Sequence, residues 1–267
     1  MKQISILGCG WLGLPLAKQL IQKGYLVKGS TTSSDKLEVL KNIGILPYSI
    51  IISDGEITGS IEDFLEDSEV LIIDIPPKLR AAEKEDFVSK IQHLIPYIES
   101  SSVTKIIFVS STSVYADCNQ NITENTIPEP TTESGIQLLK SESILLNKTS
   151  FQTTVVRFGG LIGEDRHPIR FLAGRKNIEN PEAPINLIHL EDCIGILEKI
   201  IEKNLWNEIF NAVTPFHPSR KDYYTQKAIE LSLELPEFND HSVSNRKIIL
   251  SDKIQNVLNY RFKINPL

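Results

Sequence analysis

Three glycines near the start of the chain have the spacing of a phosphate-binding turn. Gly8, Gly10 and Gly13 form the pattern G-x-G-x-x-G, directly after a β-branched run and at the start of an amphipathic one. The first glycine permits a tight turn, the second lets the backbone approach a diphosphate, and the third allows a helix to pack closely on a strand. The N–H groups of the helix N-terminus also favour an anion. We therefore predict a dinucleotide site formed by Gly8, Cys9, Gly10, Trp11, Leu12 and Gly13.

The end of the second predicted strand indicates which dinucleotide is preferred. An NAD site usually has Asp or Glu there, which binds the ribose 2′-hydroxyl. This chain instead has hydroxyl groups flanked by lysines: Lys28, Ser30, Thr31, Thr32 and Lys36. A carboxylate would repel a 2′-phosphate, whereas these groups can hydrogen-bond one. Asp35 lies further on, at a predicted helix start, where N-capping explains it equally well. The predicted cofactor is NADP or NAD, with NADP preferred.

Alternating strands and helices would position these groups. Short β-branched runs predict strands at 3–7, 25–29, 47–52, 69–75, 105–110, 153–158, 185–189 and 208–212. Amphipathic runs predict helices at 11–23, 34–43, 85–98, 134–147 and 190–203. Pro96 should kink or end the helix at 85–98. This alternation is typical of an α/β fold of Rossmann type, a doubly wound parallel sheet with helices on both faces.

A change in composition indicates the domain organisation. Residues 1–160, to which 185–215 return, carry the alternating pattern and are predicted to form the NAD(P)-binding domain. Residues 161–184 and 216–267 are richer in Pro, Asn and charge, and we predict that they form a small C-terminal substrate lobe. Pro76-Pro77 stops a predicted strand where the cofactor should pass, so a backbone contact at Pro76 is expected.

Composition restricts the partners and the compartment. The 267 residues carry a net charge of −6, so a nucleic acid or an anionic membrane would be repelled on average. The three cysteines are too few and too scattered for a disulfide framework or a metal cluster, and no metal is expected. No apolar run approaches the ~18 residues of a membrane span. Too few apolar residues precede Cys9 for a signal peptide. These features predict a cytoplasmic protein with a small-molecule substrate and neither a nucleic-acid nor a membrane partner.

Four segments of the chain resemble motifs of one protein family, in the same order. KIIFVSSTSVYAD (105–117), PEPTTESG (128–135), VVRFGGLIGEDR (155–166) and LIHLEDC (187–193) follow the glycine-rich start. The chain resembles the extended short-chain dehydrogenase/reductases, the NAD-dependent epimerase/dehydratase group, over most of its length. The resemblance implies a Rossmann domain with a small C-terminal substrate lobe. Dimers in that family use two helices, which here correspond to 82–99 and 134–147 and imply a homodimer.

The family's catalytic pair is missing from this chain. Its members use a Ser or Thr, a Tyr, and a Lys four residues after the Tyr. Matching Gly135 and Glu142 to two family landmarks puts Ser134 at the Tyr position and Leu138 at the Lys position, whereas matching Lys140 to the lysine puts Ile136 at the tyrosine. We prefer the first alignment because it keeps two landmarks. The pattern is similar to atypical members of the group, including the bacterial YeeZ-like proteins.

Two hydroxyl groups remain candidates for the chemistry. Ser111, four residues before Tyr115, matches the family's Ser/Thr position. It is either a substrate-facing hydroxyl or the cap of a strand end. Tyr115 is the nearest phenol, although the family does not use that tyrosine as its proton donor. Ser134 is a candidate substrate contact, but it is too short to replace a phenol without a water.

Charged residues after residue 163 could bind an anionic substrate such as a nucleotide sugar. Arg166 and Arg170 are the candidate substrate contacts, since guanidinium groups bind phosphate and carboxylate bidentately. The alternative is a solvated basic loop. His189 and Asp192 are expected to brace a strand-to-helix junction and cap the helix. The predicted function is an NAD(P)-dependent oxidoreductase or epimerase of atypical type, and the alternative is a catalytically silent NAD(P)-binding sensor or regulatory protein.

Overall fold

A computed structural model of the chain describes residues 2–53, 55–77 and 86–264. The strands in these ranges are β1 (Gln3–Leu7), β2 (Leu26–Thr31), β3 (Leu46–Ser49), β4 (Ile51–Ile52), β5 (Ile57–Thr58), β6 (Val70–Ile73), β7 (Lys105–Ser111), β8 (Asn121–Ile122), β9 (Gln152–Phe158), β10 (Gly160–Ile162), β11 (Leu187–His189), β12 (Ile209–Ala212) and β13 (Ile248–Ile249). The helices are α1 (Gly13–Gln22), α2 (Asp35–Asn42), α3 (Ile61–Leu65), α4 (Phe87–Glu99), α5 (Glu133–Leu146), α6 (Ile169–Leu172), α7 (Leu190–Lys203), α8 (Arg220–Glu230) and α9 (Asp252–Val257).

A parallel seven-stranded sheet forms the centre of the molecule. Its order is β12-β9-β7-β6-β1-β2-β3, so the chain runs outward from β1 to one edge and then returns to build the other half. The order reverses between β1 and β6, which is the switch point at which Rossmann folds bind ligands. The Rossmann-type fold predicted from the alternation of strands and helices is thereby confirmed.

Two apolar layers cover the sheet. Successive strand residues point to opposite faces, so Ile4 and Ile6 of β1 pack with α1 and α7, whereas Leu71 and Ile73 of β6 pack with α4 and α5. Every residue of β6 is buried, as expected for a central parallel strand covered on both faces. Each such aliphatic side chain contributes about 1.5–3 kcal/mol by burial. The two layers hold the central sheet in place, and with it the edge at which the carboxyl ends of its strands lie.

A smaller apolar cluster lies outside these layers. It packs β10 and β11 against α6 and α8, through Ile162, Ile169, Ile185, Leu187, Tyr223, Tyr224 and Ala228. The strand predicted at 185–189 is therefore in a different place from the one expected, because β11 pairs with β10 and not with the central sheet. None of the helices in the described ranges is long and apolar enough to cross a membrane.

Three predicted boundaries also differ from the structure. The strand predicted at 25–29 continues to Thr31, so its hydroxyl groups belong to the strand end. The strand predicted at 47–52 divides into β3 in the central sheet and β4 in a hairpin with β5. Helix α4 continues through Pro96 to Glu99, which is possible because the proline lies near the helix end. Residues 78–85, where the helices predicted at 85–98 and 82–99 begin, lie outside the described residues.

Candidate functional site

Two of the glycines in the turn between β1 and α1 are required by packing, and the third leaves room. Gly8 has φ +107° and a Cβ there would overlap the Asp74 carbonyl oxygen, while a Cβ on Gly13 would overlap the Gly8 carbonyl oxygen. A Cβ on Gly10 would meet nothing within 4 Å. The turn is tied to β2, because Gly8 N–H donates to Ser30 Oγ at 2.9 Å. Gly10 therefore faces open space at the place where a ligand backbone contact is expected.

Two cavities flank this turn and share a wall. The outer cavity has a volume of about 220 Å³, and its polar side is formed by Ser30, Thr31, Thr32 and Lys36. The inner cavity has a volume of about 290 Å³ and contains Trp11, Leu12, Val109, Ser110, Ser111, Leu138, Leu161 and Arg166. The shared wall consists of Gly10, Asp74, Ile75 and Pro76. Together the cavities make one cleft around the glycine turn.

One lysine predicted for the outer cavity points elsewhere. Lys28 is buried, and its Nζ donates to the carbonyl oxygens of Asp63 at 2.5 Å and Glu66 at 2.7 Å. Its predicted contact with a 2′-phosphate is therefore wrong, because the segment that contains α3 covers it. Lys36 is exposed and lines the cavity. Cys9 lines the same cavity with a thiol whose burial raises its pKa to about 12.

The two serines at the end of β7 have complementary hydrogen-bonding roles in the inner cavity. Ser110 Oγ donates to Glu142 Oε1 at 2.6 Å, so its hydroxyl oxygen can act only as an acceptor toward a ligand. Ser111 Oγ accepts from Ser113 N–H at 3.2 Å, which caps the following turn and leaves the Ser111 hydroxyl hydrogen available. Ser111 thus combines the capping role and the cavity-facing role between which the sequence did not decide.

Helix α5 places the two candidate lysine positions differently. Leu138 lines the inner cavity, whereas Lys140 is exposed on another face of the helix. The absence of the family's tyrosine and lysine from the site stays a prediction. Gly135 lets α5 approach the 112–114 turn, because a Cβ on it would overlap the Ser113 carbonyl oxygen. Ser134, in the first turn of α5, is half-buried and lines neither cavity.

Tyr115 is part of a buried network, not of the cleft. Its hydroxyl donates to Asn211 Oδ1 at 2.9 Å and accepts from Arg157 Nη1 at 2.6 Å. Arg157 forms a fully buried ion pair with Glu142, with Nη2 and Oε2 2.6 Å apart. Burial raises the pKa of Tyr115. The candidate catalytic role of Tyr115 is not supported by this geometry, because the phenol lines neither cavity and its hydroxyl already has three partners, the third being the Thr123 carbonyl oxygen.

The two candidate arginines lie in different cavities. The guanidinium carbon of Arg166 lies 4.9 Å from the centre of the Trp11 ring, and Trp11 Nε1 donates to Asp165 Oδ1 at 2.8 Å. This contact ties the glycine turn to the segment after β10. Arg170 instead lines a separate cavity with His167, whose pKa burial lowers to about 4. The structure therefore brings Arg166 close to Ser111 and leaves Arg170 and Ser134 outside that group.

The junction between β11 and α7 is partly as predicted. His189 Nδ1 accepts from Glu191 N–H at 3.3 Å and caps α7. Asp192 does not cap the helix, and that part of the prediction is wrong. Its carboxylate accepts from Tyr260 Oη and Lys263 N–H, both at 2.8 Å, and so holds the C-terminal segment against the sheet domain.

Asp74 is a charged residue of the cleft that the sequence reasoning missed. Asp74 directly follows the apolar strand β6 and lines both cavities. Its carboxyl group lies against Gly13, with one oxygen 3.1 Å from where a Cβ on that glycine would stand, and burial raises the pKa of Asp74 to about 7. A signal was present, since an acidic residue between four buried aliphatic residues and a Pro-Pro pair is out of place in a strand.

A parallel sheet with a glycine turn at its switch point, and cavities on both sides of that turn, define a protein of Rossmann-type fold. The chain is 36% identical to "Protein YeeZ" of Escherichia coli strain K12, over 98% of this chain and 96% of that protein. It belongs to the YeeZ family. Residues 3–129 also match the model of the NAD binding domain of 6-phosphogluconate dehydrogenase.

Solved structures share the fold at low sequence identity. A functionally unknown conserved protein from Silicibacter pomeroyi has a TM-score of 0.81 at 21% identity, covering 100% of this chain and 95% of that chain. A UDP-glucuronic acid 4-epimerase from Bacillus cereus, in complex with NAD, has a TM-score of 0.81 at 16% identity, covering 99% and 92%. These likenesses extend over both the sheet and the smaller apolar cluster.

Proposed function

We propose that this protein binds NADP in preference to NAD, and that it acts as an oxidoreductase or epimerase on a small polar or anionic substrate. The observation that carries this proposal is the wall shared by two cavities at the glycine turn, Gly10, Asp74, Ile75 and Pro76. A dinucleotide has two nucleoside halves joined by a diphosphate, which matches two cavities joined at one backbone contact. The space left at Gly10 fits the diphosphate.

The outer cavity would hold the adenosine half of the dinucleotide. Thr31 and Thr32 lie at the end of β2, where NAD sites usually have a carboxylate, and Lys36 lines the same cavity from the first turn of α2. A cation and hydroxyl groups favour a 2′-phosphate. The α1 N-terminus has no side-chain cap and no acidic residue in its first turn, so the positive end of the helix dipole favours the diphosphate. When bound in the inner cavity, the nicotinamide would supply the donation or acceptance of a hydride.

The inner cavity would orient the substrate through its two serines. Ser111 can donate to a substrate oxygen and Ser110 can accept from a substrate hydroxyl, so the pair favours a group with a neighbouring acceptor and donor. Arg166 adds a positive charge at the same cavity and favours an anionic substrate. Nucleotide sugars, which are named for several structural neighbours, are the first class for a substrate screen.

A fluorescence titration tests the proposal. The Trp206→Phe variant leaves Trp11 as the only indole, and it is titrated with NAD⁺, NADH, NADP⁺ and NADPH. We expect saturable quenching, because Trp11 lines the inner cavity. The dissociation constant should be lowest for the 2′-phosphorylated forms. The absence of any saturable change with all four dinucleotides would show that the proposal is wrong.

Matched variants assign the quenching to the cleft. In the Trp206→Phe background, Gly10→Glu should abolish it, since a carboxylate would occupy the open space beside the turn. Gly55→Glu is the control, because Gly55 also has open space around its Cβ position but lines neither cavity. Equal loss of quenching in both variants would contradict a site at the glycine turn.

A second candidate is a dinucleotide sensor without turnover. The observation that favours it is an apolar side chain, Leu138, in the inner cavity, at the residue that the alignment on Gly135 matches to the family lysine. The two functions differ in what a substrate does to the protein loaded with reduced dinucleotide. An enzyme will change the absorbance of the reduced nicotinamide in the presence of its substrate. A sensor will bind one redox form more tightly and show no such change with any member of the screen.

A further inference from the structure

Asp74 lies at the junction of the two cavities, beneath the glycine turn. Its carbonyl oxygen lies where it would overlap a Cβ on Gly8, and one of its carboxyl oxygens lies 3.1 Å from where a Cβ on Gly13 would stand. The residue lines the inner and the outer cavity and keeps partial exposure through them. A negative charge at this place would lie beside the position at which the proposed diphosphate contacts Gly10.

The groups that face Asp74 do not neutralise it. Cys9 faces it from the glycine turn and Cys193 from α7, and burial raises the pKa of each thiol, so both stay uncharged near neutral pH. Arg166, Lys36 and Lys90 line the same cavities from the segment after β10, from α2 and from α4. No salt bridge within the described ranges joins any of these cations to Asp74.

Like charges at close range cannot both remain ionised without a large cost. A diphosphate at Gly10 would add negative charge next to a carboxyl group that lies against Gly13, at the start of α1. We propose that Asp74 takes up a proton from solvent when a dinucleotide binds, and that the resulting neutral carboxyl is a binding group of the site. This inference rests on the proposed dinucleotide function and deepens it. It predicts that affinity depends on pH through one side chain.

Calorimetry measures the proton directly. NADPH binding to the unmodified protein is measured at pH 8 in buffers that differ in ionisation enthalpy, and we expect the uptake of about one proton per dinucleotide. Across pH 7 to 9 the dissociation constant should rise about tenfold per pH unit, until the pKa of Asp74 in the complex is reached. The 2′-phosphate of NADPH, with a pKa of about 6, changes little over this range.

Two controls assign the proton to Asp74 and to the diphosphate. Asp74→Asn should bind NADPH with little dependence on pH and without proton uptake. ADP-ribose, which has the diphosphate but no nicotinamide, should show the same uptake as NADPH in the unmodified protein. Proton uptake that persists in Asp74→Asn, or is absent with ADP-ribose, would overturn the inference.

The outcome also separates this inference from the proposed function. Binding of NADPH with equal affinity at pH 7 and pH 9, and without proton exchange, would overturn the role of Asp74 and leave the dinucleotide site standing. No binding at either pH would contradict the proposed function itself. The measurement on the unmodified protein decides between these results even if the variant fails to fold.

Discussion

The outer and inner cavities are built in different ways, although they share one wall. In the outer cavity the exposed groups Thr32 and Lys36 face the space where a ligand would lie. Behind the inner cavity, the polar groups contact one another, since Ser110, Glu142, Arg157 and Tyr115 form a continuous buried network. The comparison shows that the outer cavity has exposed polar groups, while the polar groups behind the inner cavity, including Tyr115, bond to one another.

Arg157→Met tests that difference with the largest expected effect. The change leaves the Glu142 carboxylate buried and unpaired, and should destabilise the fold by about 3–5 kcal/mol. Thermal unfolding followed by circular dichroism measures the loss. Glu237→Gln, which removes the exposed pair with Lys176, is the control and should cost less than about 1 kcal/mol. Equal melting temperatures for the two variants would mean that the buried network is not structural.

Tyr115→Phe examines the same network at one hydroxyl. Its removal leaves the Arg157 Nη1 donor and the Asn211 Oδ1 acceptor without this partner, at a cost of about 2 kcal/mol. Dinucleotide affinity at 25 °C should stay unchanged, because Tyr115 lines neither cavity. A variant that keeps its stability but loses turnover would instead make Tyr115 catalytic and remove the contrast between the two cavities.

Asp74→Asn tests the wall shared by the two cavities, through the free energy of unfolding of the protein without ligand. The pKa of Asp74 is raised from 3.8 to about 7, so the folded state binds a proton that the unfolded state releases, and stability falls as pH rises from about 4 to 7. At pH 8 the variant should therefore gain about 1–2 kcal/mol, discounted because the residue is partly exposed to water. The gain should vanish at pH 4. Denaturant unfolding at the two pH values measures this gain. A lower free energy of unfolding for the variant than for the unmodified protein at pH 8 would contradict the prediction.

Lys36→Ala sharpens the comparison within the outer cavity, with the smallest expected effect. NADPH affinity should fall about tenfold, or about 1.4 kcal/mol, while NADH affinity stays unchanged. Lys28→Ala is not a suitable control, because Lys28 is buried under α3. Lys41→Ala, at the far end of α2, is the matched change of charge. Equal losses for both dinucleotides would show that Lys36 does not contact the 2′-phosphate.

The parts of the structure that follow from local spacing could be predicted from the sequence. The Gly8–Gly13 turn, the alternation of elements and the His189 cap depend on neighbouring residues. The direction of Lys28 and the partners of Asp192 depend on segments far away in the chain, near α3 and after α9. Periodicity shows which face a side chain occupies, but it does not show which distant segment covers that face.

The residues of the outer cavity could be predicted from the sequence better than those of the shared wall and the inner cavity. Ser30, Thr31 and Thr32 could be placed because a strand end at this position of a Rossmann fold meets the ribose. Asp74 was missed because its effect arises from burial beneath a turn that only the folded chain provides. Ser110 was also missed, since a resemblance directs attention to Ser111, whereas the carboxylate that orients Ser110 comes from α5.

Gly135 has a consequence for the size of molecule that the protein can accept. Its single hydrogen allows α5 to rest on the Ser113 carbonyl oxygen, and the same helix carries Leu138 into the inner cavity. Any larger residue at position 135 would push the helix outward and move Leu138 with it. The width of the inner cavity therefore depends on the absence of a Cβ at Gly135, on the opposite side of the helix, at a position that no ligand needs to contact.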